Sequence, residues 1–418
     1  MQVRSRALFL SILDAGMLSL ATFAVGIYAA REFDTESLAA YALVFSAYIF
    51  LNEFVTHFLL TPLEVIIHRQ DPHLRGRHLR WTYRRALPRI GAIALLPLSA
   101  SLLAPTDGVS AQLTTAACAL LTTSALNHQR RVLHATDRPA FATMASSGAA
   151  VLTLALMGLG HFQRVDSNLV PFGAVAIANG VASTGLAAAI RVRWRTLEPL
   201  DVSARRLRRS GSYLFTAGTL PQLGNLVSTS IVGWLAGANA LAVSEASRIL
   251  ARPVGVVVTG LAATIFPRAV KASAHGAWAD LRSLKRTATA VSAGLVGTAV
   301  FTLPLPFDWN PLTSLVPRAF ESPTTTILFL VSGGVAGVLV PFVGAILGRE
   351  DERGLAVARG SGAALTAVAA LSSIALGAAA RPISELAGQA GSLTILRGKE
   401  RLDEAGGSAK PDPQERPK

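Results

Sequence analysis

Twelve runs of apolar residues, separated by short polar segments, lay out the plan of this chain. They cover about 7–30, 38–60, 87–103, 109–126, 140–160 and 169–190 in the first half, then 213–235, 238–266, 287–305, 324–347, 355–376 and a weak, short run at 382–396. About 20 residues at the helical rise of roughly 1.5 Å match a hydrocarbon core roughly 30 Å thick, so each run predicts a membrane-crossing helix. The first run carries Asp14 and exceeds the apolar stretch of a signal peptide, which predicts a retained first helix.

A duplication shows in this pattern. The first two spans end in L-L-T-P-L-E-V with Pro62 and the seventh and eighth in T-I-F-P-R-A-V with Pro267, 205 residues later, and each pair is joined by a very short turn. The reading is an all-α polytopic membrane protein of two six-helix bundles, residues 1–200 and 201–396, related by a parallel pseudo-two-fold repeat. Gly333 and Gly337 form a G-x-x-x-G pattern that predicts close helix packing. The tail from Arg397 to Lys418, charged and containing Gly, Pro and Ser, is expected to be disordered.

Composition agrees: 51% hydrophobic, 15% charged, mean hydropathy +0.44. The net charge of +14 sits mostly in alternate loops, with seven arginines in 68–89, seven in 191–210, three in 127–138 and five Lys or Arg in 268–286. That asymmetry places both termini on the cytoplasmic side and points to anionic membrane lipids, not to nucleic acid, while the abundance of Ala, Arg and Gly suggests a GC-rich bacterial genome and hence a bacterial plasma membrane. The single Cys118 excludes an intrachain disulfide. The catalytic signatures H-E-x-x-H, G-x-S-x-G and G-x-x-x-x-G-K-[ST] are absent and the histidines lack metal-ligand spacing, so neither an enzyme nor a cofactor is expected.

The segment 246–267 carries the candidate chemistry. Arg248 and Arg252 stand at i and i+4 on one helix face, with Glu245, Gly255 and Thr259 on or near it. An arginine in mid-membrane costs roughly 2.5 to 3.5 kcal/mol on insertion scales, so a pair is kept where it faces an aqueous cavity or an anion. We read the pair as the floor of an anion-holding cavity, with Pro253 freeing backbone polar groups beside it. The alternative is that both arginines snorkel to the outer interface. Gln222, Asn225 and Thr229 form a polar stripe with Gly218 on the seventh span, suited to hydrogen-bonding sugars or neighbouring helices. Asp14, Glu53 (with His57 four residues on) and Glu245 are candidate coupling carboxylates; for Asp14 and Glu53 the alternative is an interfacial group. Arg359 is expected near the cytoplasmic interface and Arg381 in an outer loop.

The pattern A-x-R-I-L-x-x-P-x-G from Ala246 to Gly255, continuing to A-T-I-F-P at Pro267, resembles the eighth helix of the lipid II flippase in the multidrug/oligosaccharidyl-lipid/polysaccharide exporter superfamily. G-A-N-A-L-A-V-S-E-A, Gly237 to Ala246, and G-A-A-A-R-P-I-S-E-L-A, Gly377 to Ala387, are similar to polysaccharide flippases of the Wzx type. The match covers some 30 residues at motif level and nearly the whole chain in plan; the chain lacks the two extra C-terminal helices of the lipid II flippase. The resemblance implies a cationic central cavity and export of a polyprenyl-diphosphate-linked oligosaccharide by alternating access, with glycan polymerase and glycosyltransferases as partners. Arg248 matches the cavity arginine of that flippase, whereas Arg252 falls where that family is apolar. A cation-coupled multidrug exporter and a non-transporting membrane scaffold remain open as alternatives.

Overall fold

The structure is a computed structural model that describes residues 2–60, 72–135, 138–189, 204–302, 313–349 and 351–407. Its helices are α1 (Gln2–Glu32), α2 (Thr35–Phe54), α3 (Pro72–Ser101), α4 (Asp107–Ala135), α5 (Pro139–Phe162) and α6 (Val170–Ala189) in the first half. The second half opens with one continuous helical stretch, Ala204–Ala274, broken at Gly237, whose φ of +84° reverses the chain and separates α7 (204–236) from α8 (238–274). Glycine meets that left-handed conformation without the clash a Cβ would bring. Then come α9 (Trp278–Thr302), α10 (Pro323–Gly348), α11 (Glu352–Ala369) and α12 (Ala380–Gly407). Each apolar run of the sequence maps onto one of these helices, and the chain is a multi-pass membrane protein.

Several helices outrun the apolar runs that predict them. The weak last span is a 28-residue helix, and it continues through Gly407, so the expected disorder from Arg397 is corrected as far as that residue. Contacts explain the extension: Lys399 donates to Asp351 at 2.6 Å, and Lys285 reaches Glu400. Residues 408–418 lie outside the described residues, as do the boundary at 200 and Thr61 to Val65 of the first repeat motif. Beyond Phe54, α2 continues as a π-helical turn, Val55–Leu60.

The first bundle packs α1 on α5, α4 on α3 and α6, and α5 on α6; the second packs α10 on α8, α9 and α12, and α11 on α7 and α12. Small residues let the backbones close up. Gly333 and Gly337 face Val254 and Val258 of α8, as the G-x-x-x-G spacing predicts, and Gly224 on α7 lies against the Ala363 backbone of α11. Between the bundles runs α2. One of its faces enters an aromatic core of Tyr41, Phe45 and Tyr48 against Phe172 of α6, with ring centroids 5.6 to 6.3 Å apart. The other face packs along α7 and α8.

The bundles touch along the length of the seam. At one end Arg31 of α1 donates to the carbonyls of Ser314 (2.9 Å) and Leu315 (3.2 Å) in the connection between α9 and α10, and Gly26 of α1 seats Ile249 of α8. Towards the other end Phe54 of α2 and Phe58 of its π-helical turn meet Phe215 of α7, with ring centroids 5.2 and 5.6 Å apart, while α1 turns to α5, where Thr143 donates to the Leu10 carbonyl at 3.0 Å, and α8 turns to α10.

Two outcomes test this packing. A Cβ on Gly344 would lie 2.9 Å from Ala269 Cβ and 3.0 Å from the Phe266 carbonyl oxygen, neither of which can yield without moving α8. Gly344→Val is therefore expected to cost about 1 to 3 kcal/mol, read as a lower melting temperature in detergent. Asp351 caps α11 by accepting from the Gly354 N–H at 2.7 Å. Burial pushes its carboxyl up, but the Lys399 bond and the Gly354 N–H outweigh that and hold it below the ordinary carboxylate value. A depressed carboxyl contributes stability above its unfolded pKa and loses it as pH falls through the folded one. Asp351→Ala should accordingly lower the melting temperature at pH 7 and by clearly less near pH 3.

Candidate functional site

Glu245, Arg248 and Arg252 lie at i, i+3 and i+7 of α8, so a straight helix holds them on one face. That face looks at α1 and α2. The Arg248 guanidinium carbon stands 4.9 Å and that of Arg252 4.4 Å from the centroid of the Phe45 ring on α2. Arg252 also donates through Nη1 to the Thr22 carbonyl on α1. Both arginines are partly exposed, 11 and 15 residues past the Gly237 turn, the latter about 22 Å along the helix by its rise. They stand at the seam between bundles rather than level with the turn, so snorkelling to that end is not what the structure shows.

Neither arginine is alone, and their partners differ. Arg248 makes a two-pronged bond to Glu245, Nε to Oε2 at 2.8 Å and Nη2 to Oε1. Glu245 is fully buried and accepts a further bond at 2.8 Å from Nη1 of Arg381 on α12. It is thus the counter-ion of two guanidiniums. Among the described residues, Arg252 is the one arginine of the cluster with no carboxylate within ion-pair distance. Arg381 itself is 2% exposed, which corrects the outer-loop placement: it opens the first turn of α12, just before Pro382. Its Nη2 also reaches Ser46 Oγ of α2 at 3.4 Å, joining the second bundle to the first.

The polar stripe of α7 divides. Thr229 is buried at the seam, 3.3 Å from Ser46 and donating back to the Asn225 carbonyl at 2.7 Å. Gln222 and Asn225, bonded to each other at 3.3 Å, instead line a cavity of about 190 Å³ inside the second bundle with Arg359, Glu385 and Gln389. Arg359 therefore belongs to an internal wall. Glu385 accepts from Ser332 at 3.3 Å, and Ser332 accepts from Gln389 at 3.0 Å.

The two remaining carboxylates have structural partners. Asp14 is 2% exposed and does not snorkel: its oxygens accept from Arg130 Nε (3.1 Å) and Nη2 (2.5 Å) and from Ser146 (2.5 Å), with His134 Nε2 at 2.9 Å. Arg130 and His134 come from the end of α4, which extends as helix through a segment that reads in sequence as a basic loop. Glu53 and His57 form the i, i+4 pair that their spacing suggests, at 3.1 Å and both about 30% exposed, beside Gly218 of α7.

Sequence reasoning passed over Arg381 and Glu385. The signal was available: R-P-I-S-E places them at i and i+4, so that both project from one face of α12.

No family model and no characterised protein sequence matches the chain. Solved structures do. An inward-facing multidrug resistance MATE family transporter of the MOP superfamily superposes with a TM-score of 0.72 at 13% identity, over 94% of this chain and 96% of that one. The lipid II flippase MurJ in an inward closed conformation gives 0.71 at 10% identity, over 94% and 87%. A MOP superfamily transporter from Pyrococcus furiosus Vc1, described as having a binding pocket of reverse polarity, gives 0.62 at 14% identity, over 96% and 95%. At such identities the likeness is one of fold.

The Asp14 pair gives a direct test. Arg130→Leu leaves a carboxylate buried without its guanidinium and is expected to destabilise by about 3 to 5 kcal/mol. Adding Asp14→Asn should restore most of that loss, which a double-mutant cycle on thermal stability would measure.

Proposed function

We propose that the chain is a flippase that moves a polyprenyl-diphosphate-linked oligosaccharide across the bacterial plasma membrane by alternating access, with both termini cytoplasmic. The observation that carries this reading is Arg252: a guanidinium in the seam between two bundles, stacked on Phe45 and bonded to a carbonyl, without a carboxylate of its own. A guanidinium in that state is matched to an incoming anion, and its planar fork suits phosphate oxygens. Arg248 and Arg381 then supply a second rank. Glu245 holds both; a diphosphate arriving at Arg252 competes with that carboxylate for Arg248, so Glu245 serves as an internal stand-in for the ligand.

The sugars and the polyprenyl tail divide between the seam and the surrounding lipid. Two uncompensated negative charges moving outward gain roughly 4.6 kcal/mol per 100 mV, inside negative, so this reading needs no coupling ion. A cation-coupled multidrug exporter would draw on Asp14, which is already held by Arg130, and its cationic substrates would meet three guanidiniums at the seam. Anionic lipids around the basic loops, and enzymes that build and polymerise the glycan, are the partners this function calls for.

The test is flipping in proteoliposomes, followed as accessibility of a lipid-linked glycan to an external probe. Arg252→Ala is expected to slow it at least tenfold, and Arg252→Lys to restore it only in part because an ammonium lacks the bidentate fork. Glu245→Gln, which removes the competing carboxylate, should tighten binding of the diphosphate carrier. Unchanged flipping in Arg252→Ala overturns the assignment.

A further inference from the structure

The first bundle contains a cavity of about 180 Å³ that none of the roles above uses. It lies beside the arginines, because Thr22 and Phe45 belong to both: Arg252 donates to the Thr22 carbonyl and stacks on Phe45, and the same two residues line the cavity. Much of its lining is aliphatic, including Leu18, Val25, Ile49 and Val175; against it stand aromatic surface from Phe45, Tyr48 and Phe172 and amides from Asn52, Asn127 and Asn179, and none of the described lining residues is charged.

The hydrogen bonds among these residues fix what the walls can offer. Thr123 Oγ1, also in the lining, accepts from the Tyr48 hydroxyl at 3.0 Å and from Asn179 Nδ2 at 2.8 Å. With both lone pairs engaged, its own O–H is left to donate elsewhere. Asn127 Oδ1 accepts from Arg130 Nη1 at 2.9 Å, which anchors that amide and leaves its NH2 as a donor. Asn52 Oδ1 is buried and has no hydrogen-bond partner among the described residues. Donors and an unfilled acceptor therefore stand around aromatic surface. A cation finds no carboxylate here, and an aromatic hydrocarbon would leave the polar groups unpaired. A neutral ring that carries hydroxyls on its rim and C–H groups on its face satisfies the polar and the apolar walls alike.

We infer that this cavity holds the sugar attached directly to the diphosphate, so that the carrier is recognised by its first sugar in the N-terminal bundle as well as by its phosphates at the seam. The inference rests on the flippase reading. It names residues that the polar stripe of α7 does not include, and it puts sugar recognition on the opposite side of the seam from Gln222 and Asn225.

The experiment measures binding to the detergent-solubilised full chain of two probes: a polyprenyl diphosphate without sugar, and the same carrier bearing one N-acetylhexosamine. The wild-type protein is expected to bind the sugar-bearing probe at least tenfold more tightly. Asn52→Leu, which breaks no side-chain hydrogen bond among the described residues, should remove most of that tenfold and change affinity for the bare carrier less than twofold. Asn179→Leu should do the same, with the melting temperature checked because it frees Thr123. Arg252→Ala should weaken both probes together. Equal binding of the two probes by the wild type, or a sugar preference that survives both asparagine variants, overturns the inference while leaving the flippase reading intact. Failure of the wild type to bind either probe overturns the flippase reading itself.

Discussion

Charge buried at the seam is the constraint around which this structure is arranged. Three guanidiniums from α8 and α12 stand where the bundles meet, and each must be neutralised, stacked or hydrogen-bonded to be held away from bulk water. Glu245 answers for two of them and the Phe45 ring with the Thr22 carbonyl answers for the third. Every one of these partners depends on backbone placement. The sharp reversal at Gly237 sets where along α8 the charged face falls, Gly26 lets α8 come close to α1, and the aromatic packing of α2 on α6 fixes the ring beneath the arginines.

The same economy governs the first bundle. Asp14 enters the membrane on α1 and is met by Arg130 and His134 from α4 and by Ser146 from α5, so three helices are tied through one carboxylate. A buried ion pair of this kind contributes less to net stability than its bond lengths suggest, because both charges are desolvated. What it does is penalise any arrangement of α1, α4 and α5 in which the partners separate.

Much of the architecture is legible in the sequence because membrane helices obey a length rule and a polarity rule that act locally. The twelve spans, the short turns and the close approach at Gly333 and Gly337 follow from runs of residues read one at a time. The shared face of Glu245, Arg248 and Arg252 follows from helical spacing in the same way. What sequence could not supply was partnership across hundreds of residues. Arg130 looks like one more basic residue in a loop, and Arg381 like a flank of a weak span, until α4 and α12 are seen to extend beyond their apolar stretches. The partner of Glu245 on α12 is 136 residues away. The i, i+3 spacing of Glu245 and Arg248 already permits the pair that answers Arg248; what the local pattern does not announce is that Glu245 also holds Arg381.

The turn at Gly237 has a mechanical consequence. With so little chain between them, α7 and α8 form one hairpin, and it is tied to the first bundle through each arm, Thr229 of α7 to Ser46 and Arg252 of α8 to Thr22. Displacing either arm from the first bundle therefore loads the contact made by the other.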